Sequence, residues 1–87
     1  MTLYETVFVI TPTISSENVI EIVAKFRKVL TDAGCKIERD ENWGFKEREG
    51  YSRLLEFQAP GPSAITALET GFRRDGRILR YKTVRLG

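Results

Sequence analysis

The apolar residues of this chain switch repeatedly between a two-residue and a 3.6-residue period, and few folds accommodate the order that results. Leu3 to Ile10 (LYETVFVI) is rich in β-branched and aromatic residues and stops at Thr11-Pro12, as a largely buried, central strand does. From Ser15 or Ser16, a suitable N-cap, apolar residues recur at Val19, Ile22, Val23, Phe26, Val29, Leu30 and Ala33. That spacing is one face of a helix, ended by Gly34. Cys35 to Trp43 alternates weakly, with Cys35, Ile37 and Arg39 against Lys36, Glu38 and Asp40, which suits a sheet edge. The charged stretch Asp40 to Gly50 holds the turn, and Tyr51 to Ala59 is a third strand with Tyr51, Arg53, Leu55 and Phe57 on one side. Pro60-Gly61-Pro62 breaks it. Ser63 is the expected cap of a second helix with an apolar stripe of Ile65, Leu68 and Phe72, backed by Ala64 and Ala67. Asp75-Gly76 turns the chain into a fourth strand, Arg77 to Leu86.

The order βαββαβ is the split βαβ, or ferredoxin-like, arrangement of the α+β class. It predicts a four-stranded antiparallel sheet with both helices on one face and the other face open to solvent or a partner. At 87 residues the chain holds one domain, residues 1–87, with a single core.

Because this fold hosts enzymes, metal carriers and RNA binders alike, function has to be read from side chains. Charge is the informative one. Residues 1–70 carry eight basic against eleven acidic side chains, whereas residues 71–87 carry six against one. The six are Arg73, Arg74, Arg77, Arg80, Lys82 and Arg85, opposed by Asp75. Clustered cations gain affinity by displacing counterions from a phosphate backbone, so the cluster suggests nucleic acid. A solvated strand and turn is the bland alternative. Alternation on strand four divides the set: Arg80 and Lys82 fall with Ile78 and Val84, and Arg77 and Arg85 with Leu79, Tyr81 and Thr83. Arg73, Arg74 and Arg77 then form the tighter group around the turn. Trp43 and Tyr81 are candidate anchors for a protein partner, set against the commoner role of half-buried sheet aromatics.

Other classes find little support. No histidine is present to act as a base, and no serine or cysteine sits in a nucleophile motif. The loop Thr11 to Ser15 lacks the glycines and cation of a phosphate cradle, which argues against an acylphosphatase. One cysteine, Cys35, and no histidine leave no zinc-site spacing, so no metal, cofactor or small-molecule substrate is expected. Cys35 reads as a small buried apolar residue. No apolar run approaches the roughly 20 residues that span a bilayer, and the start of the chain lacks a secretory pattern, so a cytoplasmic protein without membrane attachment is expected.

The RNA-recognition motif shares the topology and stacks bases on aromatics of strands one and three. Here strand three offers Glu49-Gly50-Tyr51-Ser52-Arg53-Leu54-Leu55-Glu56, in which Arg53 and Glu56 replace two of those aromatics. Single-strand base readout is disfavoured accordingly.

Several segments together resemble the bacterial small-subunit ribosomal protein six family. These are Tyr4-Glu5 opening the first strand, Asn42-Trp43-Gly44, Leu68-Glu69 leading to Phe72-Arg73-Arg74-Asp75, and Ile78-Leu79-Arg80-Tyr81. The resemblance covers nearly the whole chain. It implies a βαββαβ fold, no enzymatic activity, and binding to the central domain of small-subunit (16S) ribosomal RNA as a heterodimer with ribosomal protein eighteen. One segment departs: after Trp43-Gly44 the family continues through a basic Leu-Ala-Tyr-Pro-Ile stretch, whereas this chain runs Phe45-Lys46-Glu47-Arg48-Glu49 into strand three. Contacts made through that hairpin are not carried over. The alternative class is an RNA-recognition-like or protein-interaction module of the same fold outside the ribosome.

Overall fold

The structure, a computed structural model, describes residues 1–87. The elements run β1 (Thr2–Ile10), α1 (Ser16–Asp32), β2 (Lys36–Lys46), β3 (Gly50–Ala59), α2 (Ser63–Arg74) and β4 (Ile78–Arg85). They form one antiparallel sheet in the order β2-β3-β1-β4. The expected ferredoxin-like arrangement is therefore present, with β1 central and β2 and β4 at the edges.

Both helices cover the sheet face that carries Phe8 and Ile10 of β1 and Leu55, Phe57 and Ala59 of β3. From α1 come Val19, Ile22, Val23, Phe26 and Leu30, and from α2 Ala64, Leu68 and Phe72. Phe72 is the hinge of the packing, with its ring centroid 4.6 Å from Phe26 and 5.0 Å from Phe8. Burying each such ring contributes about 1.5–3 kcal/mol. Ser15 caps α1 through its side chain. Ser63, the expected cap of α2, is instead its first helical residue: Pro62 occupies the cap, and its carbonyl accepts from the Ile65 and Thr66 backbone. Ala67 stays exposed.

Bulges account for the other differences from the expected alternation. The β2–β3 register slips between Ile37 and Arg39, so Arg39 does not share a side with Ile37. It points to the open face, while Asp40 turns toward the helices. A second slip, between Asn42 and Gly44, lets β2 run on to Lys46 past its expected end at Trp43, with the turn still inside the charged stretch Asp40 to Gly50. The hairpin then closes on Glu47 to Glu49, with Lys46 paired to Gly50. On β4, the irregularity beside Ile10 leaves Leu79 as the extra residue between Ile78 and Arg80. Ile78 therefore packs against the core, opposite to its expected side, and Leu79 is exposed.

Candidate nucleic-acid interface

The two edges of the sheet carry similar numbers of cations in opposite electrostatic states. On β2 each cation is committed: Lys36 pairs with Glu38, Arg39 with Glu41 and Glu56, and Lys46 with Glu49. On β4, Arg80, Lys82 and Arg85 form neither ion pairs nor side-chain hydrogen bonds, and all three are exposed. Register explains their placement. Arg80 lies opposite Val9 and Lys82 opposite Val7, on the open sheet face, while Tyr81 and Thr83 lie opposite Phe8 and Thr6 on the helix side. Val7, Val9, Arg80 and Lys82 line a shallow groove there, with the apolar stems of the two cations beside the valines and their heads in solvent. Arg85 stands opposite Tyr4 at the far end of the strand.

The end of α2 adds two more cations next to the start of β4. Arg73 reaches neutral partners only, the Tyr81 hydroxyl at 3.5 Å and the Thr70 hydroxyl at 3.4 Å. Arg74 is exposed and makes neither kind of contact. Arg77, grouped with these two from sequence, has a different environment. Its Nε and Nη2 donate to the Asp75 carboxylate at 2.8 and 2.7 Å, and Lys25 of α1 donates to the same group at 3.1 Å. Hydrogen bonds from Arg77 hold the Asp75 carboxyl well below the usual carboxylate range against the upward push of burial, and Lys25 adds to the effect. Five of the six cations are thus without an ion-pair partner, Arg80 and Lys82 on the open face of β4, Arg85 on its helix side, and Arg73 and Arg74 at the end of α2.

The two expected partner anchors are separated. Trp43 is 54% exposed at the β2 bulge, and its indole N–H donates to Glu41 at 3.0 Å. Tyr81 is half-buried, with its ring 5.0 Å from Phe72 on the helix side of β4. Sequence reading did not find that the open face is itself partly apolar: Val9 and Leu54 are buried there without any helix above them. The unbroken run Val7-Phe8-Val9-Ile10 was the available signal, since a strand covered on one face only should alternate. Cys35 is buried, and that burial raises its thiol pKa. Neither helix is long and apolar enough to cross a membrane.

Comparison with known proteins bears on the family and the fold. The family model described as ribosomal protein S6 matches residues 3–85. The small ribosomal subunit protein bS6 of Phocaeicola vulgatus is 40% identical over 94 residues, covering 99% of this chain and 82% of the relative. That of Porphyromonas gingivalis is 43% identical over 90 residues, covering 94% and 76%. Both alignments exceed the 87 residues of the chain, so these relatives carry residues that it lacks. In fold, the chain matches the crystal structure of 30S ribosomal protein S6 from Thermotoga maritima with a TM-score of 0.87 at 24% identity, over 98% of this chain and 87% of that one.

Proposed function

Since this chain belongs to the ribosomal protein S6 family, and is thereby a non-enzymatic component of the small ribosomal subunit in the cytoplasm, we propose that it binds the central domain of small-subunit (16S) ribosomal RNA together with ribosomal protein eighteen. The observation that carries this reading is the contrast between the sheet edges, paired cations on β2 and uncommitted ones on β4. Arg73, Arg74, Arg80, Lys82 and Arg85 hold phosphates and fix the orientation of the domain, while the shape of the RNA junction supplies selectivity. Arginine suits the task because its planar fork grips two phosphate oxygens at once. The open face offers Val7, Val9 and Leu54 but no aromatic ring at the centre of β1 or β3, which favours backbone contact over base stacking. Trp43, at the other edge, supplies the anchor for the protein partner.

Filter binding of a central-domain transcript, with and without ribosomal protein eighteen, tests the reading. Neutralising about four phosphates gives log affinity a slope of roughly −3 against log salt. A chain that leaves the transcript unbound at low salt with its partner supplied refutes it.

A further inference from the structure

We infer that Asp75 sets how many cations this interface presents, by withdrawing Arg77 from the phosphates and leaving five. The inference rests on the RNA-binding reading above. Asp75 is the one buried charged residue of the chain, with its side chain 4% exposed. Its Oδ1 accepts the Arg77 backbone N–H at 3.0 Å and Nε at 2.8 Å, and its Oδ2 accepts Arg77 Nη2 at 2.7 Å and Lys25 Nζ at 3.1 Å. Every lone pair direction of the carboxylate is thus in use.

The Arg77 side chain is 45% exposed and its Nη1 is unpartnered, so a phosphate reaches it, but meets a charge already neutralised by Asp75; claiming that charge in full means stripping a two-point grip from a buried carboxylate. Removing one member of such a pair leaves a desolvated charge behind, which costs far more than a solvent-exposed contact returns. No such competitor stands beside Arg74, Arg80, Lys82 or Arg85. The same residue also fixes the turn: besides the carboxylate bond to the Arg77 backbone, the Asp75 backbone N–H donates to the Phe72 carbonyl at 3.3 Å and the Ile78 N–H donates to the Asp75 backbone carbonyl at 3.0 Å. Arg73 and Arg74 before the turn and Arg80 beyond it are therefore held in one relative placement, with Arg77 folded back between them.

The number of phosphates neutralised is readable as the salt slope, which changes by about 0.7–0.9 per contact. With full-length chain, ribosomal protein eighteen and the central-domain transcript, Arg80→Gln and Lys82→Gln each make the slope shallower by about that amount at unchanged Tm. Arg77→Gln lowers Tm and leaves the slope at the wild-type value. Asp75→Asn, which keeps an acceptor for the Arg77 backbone but removes the charge, makes the slope steeper by about 0.7–0.9. Asp75→Asn/Arg77→Gln returns it to the wild-type value, which separates Arg77 from the Lys25 released at the same time. If Asp75→Asn does not fold by circular dichroism, Arg77→Gln alone decides. A wild-type chain that binds with a salt-dependent slope while Arg77→Gln flattens it overturns this inference only. A wild-type chain that ignores the transcript overturns the RNA-binding reading and this inference with it.

Discussion

Arg53 of β3 donates Nε to Asp40 of β2 at 2.6 Å, and the second oxygen of Asp40 takes the Arg27 guanidinium from α1 at 2.5 Å. Burial pushes the Asp40 carboxyl up, yet the hydrogen bonds from Arg53 and Arg27 outweigh it and hold the group below its ordinary value. One carboxylate therefore ties the edge strand to its neighbour and to the helix above. Asp40→Ala should lower stability by about 1–2 kcal/mol, the range for a partly screened charged hydrogen-bond pair. In a domain this small that is a fall in Tm of about 5–15 °C. A double-mutant cycle with Arg53→Ala measures the coupling. Additive losses would show that the two side chains act independently.

Gly50, the first residue of β3, has φ +115°, a backbone conformation that side chains rarely adopt. A Cβ there would lie 2.1 Å from the Ile10 carbonyl oxygen. Because the obstacle is backbone of the central strand, it cannot swing aside. Gly50→Ala should cost about 3 kcal/mol, strain and overpacking together. Gly44, also at positive φ, has open space around it, so Gly44→Ala carries the conformational strain alone and should cost less. Urea denaturation of the two variants ranks them, and equal midpoints would contradict the steric argument.

Much of the architecture was legible in sequence because local period, breakers and global fold agree. The helix face from Val19 to Leu30, the Pro60-Gly61-Pro62 break and the alternation of Tyr51, Arg53, Leu55 and Phe57 each point to the observed element. What escaped was the bulges. An inserted residue at Glu38, Trp43 or Leu79 reverses the facing of residues on one side of it, and nothing in the composition marks it. The second strand reads as ending at Trp43, yet the register of the neighbouring β3 carries it on to Lys46. The cation cluster was legible as charge, but its division into free and committed members was not. Arg77 and Asp75 are two apart in sequence; the burial of Asp75 and its second cation, Lys25 of α1, come from the tertiary fold.

Stability should respond to acid but hardly at all to pH near neutrality. The chain has no histidine, the residue whose ordinary pKa falls between about 5 and 8. The depressed carboxylates Asp75 and Asp40 act lower. A group whose folded pKa lies below its unfolded value of about 3.9 contributes stability that is complete above that value and is lost as pH falls toward the folded one. Unfolding free energy should be flat from about pH 5 to 8 and decline below about pH 4. Asp75→Asn should be less stable than wild type at pH 7 and have a shallower acid limb, by up to about 1.4 kcal/mol per pH unit where Asp75 would have titrated. Parallel acid limbs in the two proteins would assign the acid sensitivity to other groups.

Trp43 gives the β2 edge, proposed to meet the protein partner, an internal reporter, being the single tryptophan of the chain and 54% exposed. An indole so placed emits as a solvated ring, and its N–H bond to Glu41 holds it in one orientation on the edge strand. If ribosomal protein eighteen covers this edge, its addition should shift the emission to shorter wavelength, measured as the difference from a Trp43→Phe control. Exposed aromatics that become buried are common hot spots, so Trp43→Ala should weaken the heterodimer by about 2 kcal/mol, or about 30-fold in Kd. The salt slope of RNA binding should not change, because the proposed phosphate contacts lie away from β2, at the opposite edge strand β4 and the end of α2. An emission spectrum indifferent to the partner, with Trp43→Ala pairing as tightly as wild type, would move the protein interface off β2. The remaining candidate would then be the open face lined by Val7, Val9 and Leu54.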